Sequence, residues 1–273
     1  MFYRKYPPCA PLRPYVECYY IWEAAPQEGG LRIVSPPASF TSVVFNYGDV
    51  YSAIDAQDRK REVPAFFLMG QATHKYGLEL QGTIGMLGIV FQPAALTTLF
   101  RVPLIELVDE RTDLRAVLGK ECEELGLRLL ELSDREQRIW LIEKFLLAKV
   151  YAHNDYYDAI DRTVNAIVLA NGQFQMDELL SKVYMSRRQF ERKFRRKVGL
   201  SPKYYGRLRR ISHVCRVVST SRRVQWQEIT HHNGFYDQAH FIRDFREFIG
   251  QSPKQYLKSR PELAHLLQEE EES

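Results

Sequence analysis

The feature of this sequence that most constrains its fold is an internal repeat between residues 184–205 and 235–256. Identical residues recur at an offset of 51 positions. The identical pairs are Phe190 and Phe241, Arg192 and Arg243, Phe194 and Phe245, Arg195 and Arg246, Gly199 and Gly250, Ser201 and Ser252, Pro202 and Pro253, Lys203 and Lys254, and Tyr205 and Tyr256. A repeat of this length predicts two copies of one supersecondary unit.

Each copy is predicted to contain a short helix, a tight turn and a second helix. The first copy has helices over Met176–Val183 and Arg187–Lys197, and the second over Trp226–Asn233 and Gln238–Ile249. A helix over Pro202–Ser219, about 27 Å long at 1.5 Å per residue, is predicted to join the copies. The predicted caps are Ser186 and Asp237, with Gly199 and Gly234 as helix ends. This pattern predicts an all-α domain with two helix-turn-helix units. The residues expected nearer the outer face of the last helix are Gln238, His240, Arg243 and Asp244. The arginines expected to add positive charge on the joining helix are Arg207, Arg209, Arg210 and Arg216.

Charge is distributed unevenly along the chain. Residues 158–260 contain 21 Lys and Arg against 9 Asp and Glu, a net charge of +12. Residues 1–157 contain 17 against 20, and residues 261–273 contain five Glu and no Lys or Arg. A basic segment attached to a weakly acidic one indicates a region that binds a polyanion. We therefore expect a DNA-binding domain over 158–260 and a solvated acidic tail over 261–273.

The N-terminal half is expected to be rich in β-strands over residues 1–110. Short β-branched and aromatic segments alternate there with Gly, Pro and Asn, which favours an antiparallel barrel or sandwich, cupin-like in outline. The predicted strands are Ser42–Tyr47, Val50–Ile54, Ala65–Met69, Lys75–Leu80 and Ile84–Phe91. The overall fold class is therefore α+β.

Residues 111–150 are predicted to form a helical connector between the two halves. Apolar residues recur at near-helical spacing over Asp113–Leu118, Cys122–Leu132 and Asp134–Val150. This apolar stripe either covers the β domain or forms a homodimer interface. Residues 151–158 are polar and aromatic, and we interpret them as a linker.

The C-terminal residues resemble the DNA-binding domain of the AraC/XylS family of bacterial transcription regulators. The resemblance covers residues 158–258 and is most specific over Gly234–Phe241 and Gly250–Tyr256. The segments Gly70–Thr73 and Gly88–Ala95 look like an uncharacterised β-rich sensor domain that is found fused to such regulators. The resemblance implies a sequence-specific regulator with an effector or dimerisation role in its N-terminal half, and contact with RNA polymerase would be compatible with it.

Positions carried over from the resemblance give two sets of expected DNA contacts. The base-reading set is Arg188, Glu191 and Arg192 in the first unit and Gln238, Ala239 and Arg243 in the second. Arg suits guanine, Gln suits adenine and Glu suits cytosine, so the chemistry fits. The phosphate-binding set is Ser186, Arg187, Arg195, Arg196, Lys203, His240 and Lys254.

The sequence offers little support for an enzymatic function. A cupin-like metal site needs clustered histidines, and His74 is the only histidine before His153. Cys9 and Cys18 lack the CxxC spacing of a cysteine-based repair enzyme. We expect no catalytic or metal site, no cofactor and no membrane span, and a cytoplasmic location. The expected partners are double-stranded DNA and a small-molecule effector of unknown site. An architectural DNA-binding protein without an effector is the other alternative.

Overall fold

A computed structural model describes residues 1–26, 28–152, 157–221 and 224–259 of the 273-residue chain. The predicted acidic tail and the centre of the predicted linker lie outside these residues. Two antiparallel sheets form the N-terminal half. The first sheet runs in the order β1 (Phe2–Tyr6), β2 (Val16–Ala24), β9 (Ile84–Phe91), β4 (Thr41–Asn46), β7 (Phe66–Met69), β10 (Arg111–Asp113); the second runs β3 (Leu31–Ser35), β8 (Tyr76–Leu80), β5 (Ser52–Ile54), β6 (Lys60–Glu62).

The two sheets pack face to face as a sandwich. Among the described residues, β1 and β10 end the first sheet and β3 and β6 end the second, so the strands do not close into a barrel. Outside the named strands, the bridge between Ala38 and Ala72 adds one more antiparallel pairing. The sandwich, rather than the closed barrel, is therefore the form that this half takes.

Strands β4 and β9 are buried along their whole length because both of their faces are covered. On one face, Val43 and Phe45 pack in a core with the helices. On the other face, Val44 and Met86 pack in a second core that includes residues of the opposite sheet. Side chains alternate between the two faces of a strand. A strand that is covered on both faces therefore has no solvent-exposed positions of the kind that carry polar residues in a half-exposed strand.

Four helices cover the outer face of the first sheet. They are α1 (Ala95–Phe100), α2 (Leu114–Leu118), α3 (Lys120–Leu130) and α4 (Arg135–Ala152). Each of the three predicted connector helices is present, with its ends displaced by at most two residues. Ile142 and Leu146 of α4 are buried against the β domain, so the predicted apolar stripe covers the sheet over much of its length. Arg135 and Arg138 add ion pairs to Glu23 of β2.

All the regular secondary structure in the described part of the C-terminal half is helical. Its helices are α5 (Ala159–Leu169), α6 (Met176–Val183), α7 (Arg187–Val198), α8 (Pro202–Thr220), α9 (Trp226–His232), α10 (Gln238–Ile249) and α11 (Pro253–Ser259). Both predicted helix-turn-helix units and the predicted long joining helix are observed, with ends within one residue of those expected. Tyr205 of α8 belongs to the core of the first unit and Leu208 to the core of the second, so α8 joins them.

The two halves are in direct contact. Thr97 of α1 donates a hydrogen bond to the carbonyl of Lys197 at the end of α7. On α8, the Tyr205 hydroxyl donates to the carbonyl of Ser39, and the Ser212 hydroxyl donates to the carbonyl of Pro37. The loop between β3 and β4 therefore rests on the helix that joins the two helix-turn-helix units.

Candidate nucleic-acid interface

The second helix of each unit begins at a side-chain cap. Ser186 Oγ accepts a hydrogen bond from the backbone N–H of Gln189, and the Gln189 side chain accepts one from the N–H of Ser186. Asp237 caps α10 by accepting from the N–H of His240 at 2.7 Å. Caps of this kind satisfy backbone donors that have no partner within the helix. The first turns of α7 and α10 are thereby held in shape while their outer sides stay exposed.

Aromatic residues fix the inner side of both helices. Phe190 and Phe194 are fully buried on α7, with ring centroids 5.7 Å apart. Phe241 and Phe245 occupy the matching positions on α10, with centroids 5.6 Å apart. Because residues four apart share one helix face, these rings set which face of each helix points outwards.

The predicted base-reading residues lie away from that aromatic face. Arg188, Arg192, Gln238, Ala239 and Arg243 are exposed, and Glu191 is half-buried. Arg187 donates to the Glu191 carboxylate at 3.0 Å, so the carboxylate is engaged within α7. The structure thus presents two arginines on α7 and one arginine and one glutamine on α10 with their side chains in solvent.

The predicted phosphate-binding residues fall into two groups. Arg187, Arg195, Arg196, Lys203 and Lys254 are exposed. Ser186 is exposed and serves as the cap of α7. His240 is half-buried: its Nε2 lies 3.4 Å from Asp244, and its Nδ1 accepts from the N–H of Tyr236. His240 is therefore occupied by contacts within its own unit.

The arginines of α8 do not form the basic outer surface that their sequence position suggested. Arg207 donates to Asp244 at 2.9 Å and also pairs with Glu247. Burial opposes the charged form, but the hydrogen bonds that Arg207 donates to these carboxylates raise its pKa above the ordinary value. Arg209 contacts Ser39, and Arg210 donates to the carbonyl of Gly234. These side chains hold the protein together; Arg216, which hydrogen-bonds His213, is exposed.

Asp244 lies at the centre of these contacts, contrary to its expected position. It was expected near the outer face of α10, yet only 2% of it is exposed, and it lies within reach of Arg207, Arg210 and His240. A signal existed, because Asp244 follows Phe241 by three residues, which is the spacing of a buried helix face. The same contacts explain Glu247, which stands where the AraC/XylS resemblance favours a basic or neutral residue.

A second buried ion pair connects α7 with α5 and the β domain. Lys197 Nζ lies 2.5 Å from Asp161 Oδ2 and 3.1 Å from Asp158 Oδ1. Asp161 is 2% exposed and accepts from Thr98 of α1. Burial raises the pKa of Asp161 above its ordinary value, although the Lys197 and Thr98 hydrogen bonds oppose that rise. In the sequence, Lys197 is one of the basic residues of 158–260, and its interdomain role depends on tertiary contacts.

The described residues also bear on metal binding and on membrane spanning. Within the described ranges, no group of three or more His, Cys, Asp and Glu side chains is placed to hold a metal ion. In the same ranges, no helix has both the length and the apolar composition that crossing a bilayer requires.

Comparison with known proteins identifies two parts of the chain. Residues 179–259 match the helix-turn-helix domain family, and residues 4–113 match a domain of unknown function, DUF6597. ToxT from Vibrio cholerae is a similar solved structure, with 12% identity and a TM-score of 0.46, covering 88% of this chain and 97% of ToxT. The DNA-binding domain of AdpA, solved in complex with a target DNA, has 28% identity and a TM-score of 0.35, covering 37% of this chain and 92% of that domain. Among curated protein sequences, none matches this chain.

The match over residues 179–259 spans both of the helix pairs described above, which confirms the resemblance drawn from Gly234–Phe241 and Gly250–Tyr256. The chain therefore carries an AraC-type helix-turn-helix domain and is a DNA-binding transcription regulator.

Proposed function

We propose that one polypeptide inserts α7 and α10 into successive major grooves of a duplex. Arg188, Glu191 and Arg192 would read bases in one groove, and Gln238, Ala239 and Arg243 in the next. The observation that carries this proposal is the matched geometry of the units, in which each helix buries a Phe pair and exposes the base-reading set on other faces, apart from the half-buried Glu191. Arg is suited to guanine O6 and N7 and Gln to adenine, so the exposed chemistry matches base recognition.

The spacing of the two helices supports simultaneous insertion. Helix α8 has 19 residues, which corresponds to about 28 Å at 1.5 Å per residue. One turn of B-DNA is about 34 Å, so a rod of this length with flanking residues suits two adjacent grooves. Since α8 shares a core with each unit, its length sets the distance between the reading helices.

Phosphate contacts would surround the two reading helices. Arg187, Arg195, Arg196, Lys203 and Lys254 are exposed and positively charged, and Ser186 sits at a helix N-terminus where anions are favoured. His240 is the weaker candidate because its ring already contacts Asp244. Backbone contacts fix the register of a protein on DNA, whereas base contacts give specificity.

We also propose that the N-terminal sandwich modulates DNA binding in response to a small molecule, and that the protein acts by binding rather than by catalysis. The support is the contact of the sandwich with α7 and α8. A homodimer is a further proposal, because Leu127, Leu130 and Trp140 of the connector helices are exposed. Contact with RNA polymerase and action in the cytoplasm are likewise proposals that follow from a role in bacterial transcription.

Selection of bound duplexes from a random pool tests the DNA-reading proposal. The full-length chain should enrich two conserved blocks about 10 base pairs apart, one for each unit. Arg192→Ala should remove information from one block and Arg243→Ala from the other. No enrichment with the wild-type chain, or loss of both blocks in each variant, would overturn the two-groove arrangement.

A further inference from the structure

A cleft of about 260 Å³ opens in the N-terminal sandwich between the β5–β6 hairpin and the β7–β10 edge. It has room for roughly nine waters at about 30 Å³ each, which is the size of a small organic molecule. Apolar residues lie at its inner wall and charged residues at its rim. Its lining includes Met69, His74, Lys75, Tyr76, Asp109 and Arg111.

Most charges around the cleft are already paired. Asp55 accepts from Arg59 at 2.7 Å, and Arg61 lies 3.8 Å from Glu110. Asp109 accepts from both the N–H and the hydroxyl of Thr73. The two arginines offset the charges of Asp55 and Glu110, so the cleft is less acidic than its composition suggests.

Within the described residues, Arg111 at the cleft is not paired with a carboxylate. Across the described parts of the chain, its guanidinium has no carboxylate partner, and its Nη2 is buried without a hydrogen-bond acceptor. The guanidinium lies 4.2 Å from the ring centroid of Tyr76, so its orientation is fixed by stacking. Lys75, also lining the cleft, is exposed and has no ion pair in the described residues. A buried guanidinium donor without an acceptor is costly, and an anion in the cleft would remove that cost.

The chemistry of the cleft favours a monoanion with a planar carboxylate. A guanidinium donates two parallel hydrogen bonds to a carboxylate, and here one such fork is held in place by Tyr76. The surrounding Asp and Glu residues would repel a dianion such as phosphate more strongly than a carboxylate. Met69 and Ala53 provide apolar surface for the remainder of the molecule.

The cleft is connected to the DNA-binding half through few residues. Asp109 at the cleft accepts a hydrogen bond from Thr73. Burial raises the pKa of Tyr204 on α8, and the side chains of Thr73 and Asp109 also affect that pKa, so both lie near this helix. Ala72, which lines the cleft, pairs with Ala38 in the loop that contacts α8 through Ser39. A molecule that shifts the 72–74 segment would therefore act on the helix that sets the spacing of the two reading helices.

We propose that this cleft binds a small organic monocarboxylate, with its carboxylate on Arg111, and that the occupied cleft alters DNA binding through Thr73 and α8. The second part deepens the effector role proposed above, whereas the first part does not depend on it.

Methionine methyl groups offer a direct readout in the full-length chain. Met69 lines the cleft, while Met176 and Met185 lie in the first helix-turn-helix unit. With ¹³C-methyl-methionine labelling, benzoate or hexanoate at up to roughly 20 mM should shift the Met69 resonance, because fragment-sized ligands bind with Kd of about 1 mM. The matched amides, benzamide and hexanamide, should leave it unmoved. A Met69 resonance that no carboxylate shifts, or that the amides shift equally, would overturn the proposal.

Variants test whether the carboxylate response depends on Arg111 and on access to the cleft. Arg111→Gln should weaken the carboxylate response at least tenfold, and Arg13→Gln, an exposed arginine outside the cleft, should not change it. If Arg111→Gln does not fold, Ala56→Trp at the exposed rim supplies the test, since it should block entry and abolish the response. A full response in Ala56→Trp places binding elsewhere and refutes the assigned cleft.

DNA titrations with and without benzoate then test the coupling. A change in affinity of threefold or more in the wild type, lost in Thr73→Val, supports the route through α8. A Met69 shift with unchanged DNA affinity would refute the coupling while leaving the site and the DNA-reading proposal intact.

Discussion

At the scale of single residues, the same side-chain types do different work according to what surrounds them. Arg192 and Arg207 lie on neighbouring helices of the same basic domain. Arg192 is exposed and available to a base edge, whereas Arg207 is committed to Asp244 and Glu247. Counting arginines along the sequence overstates the charge available to DNA, because carboxylates from α10 neutralise part of it.

Replacing Arg192 by alanine should weaken binding at the selected site by about 1–3 kcal/mol and relax preference at one base, because a bidentate contact to guanine is lost. Titrations on the selected duplex, its single-base variants and a random duplex measure this. Arg13→Ala, far from the reading helices in sequence, is the control. Equal loss on selected and random duplexes would mean that Arg192 contacts only the backbone.

His213 of α8 should make the stability of the protein depend on pH. Burial, followed by the nearby Arg216 and Arg209, lowers the pKa of His213 below its ordinary value. The unfolded chain then binds more protons than the folded one at pH values below about 6.5, so stability falls as the pH is lowered through that range. Urea unfolding at pH 7.5, 6.5 and 5.5 should show a smaller decline in His213→Gln than in the wild type. An unchanged decline would assign the effect to other groups.

At the scale of elements, the repeat contains pairs of equivalent residues whose surroundings differ. Gly199 ends α7 with φ +90° and Gly250 ends α10 with φ +76°, both in the left-handed region that favours glycine. A Cβ on Gly199 would lie 2.8 Å from the carbonyl oxygen of Leu104, but on Gly250 it would come no closer than 3.8 Å to Lys75. At this position the first unit is therefore packed too closely on the N-terminal domain to admit a Cβ, whereas the second unit has room for one.

Gly250→Ala should cost about 1–2 kcal/mol of stability from the left-handed backbone alone. Gly199→Ala should cost more, because the 3₁₀ turn at Leu104–Glu106 must also move. Denaturant unfolding of the two variants beside the wild type gives the difference, which isolates the interdomain contact. Equal losses of stability in the two variants would show that the contact with Leu104 can shift without strain.

Asp244→Ala should destabilise the second unit by about 2–4 kcal/mol, because it removes the carboxylate that faces the half-buried Arg207 and Arg210. The control is Glu247→Gln, whose side chain is 43% exposed and whose loss should cost less than about 1 kcal/mol. Tryptophan fluorescence of Trp226, which packs on Phe241 and Phe245, can follow this unit during urea unfolding. Similar losses in both variants would contradict the central role of Asp244.

At the scale of the whole molecule, the β sandwich and the DNA-binding half form a continuous assembly. The end of α7 contacts α1, and α8 contacts the loop between β3 and β4. The Lys197–Asp161–Thr98 cluster crosses this boundary at buried positions. A conformational change in the sandwich can therefore be transmitted to α7 and α8 through direct contacts.

The salt dependence of DNA binding should reflect the exposed cations of the whole interface. With Arg187, Arg195, Arg196, Lys203 and Lys254 each neutralising a phosphate, log K should fall with log salt concentration at a slope of about −4.5. Lys254→Ala should weaken selected and random duplexes alike and reduce the slope by about 1. Fluorescence anisotropy at several salt concentrations measures both. A slope that Lys254→Ala leaves unchanged would remove it from the interface.

Local signals in the sequence determined the repeat, the caps at Ser186 and Asp237, the glycine helix ends and the aromatic inner faces, because each depends on residues within a few positions of one another. The same signals located the connector helices and the longer inner strands, although the strands Phe2–Tyr6 and Val16–Ala24 were not delineated. Only the tertiary structure decided that the sheets stack as a sandwich, that Arg207 and Arg210 turn inward onto Asp244, and that Arg111 is left without a carboxylate. Those outcomes depend on which side chains, distant in sequence, are buried together. The free energy of burying or pairing a charge depends on these partners, and the neighbouring sequence does not specify them.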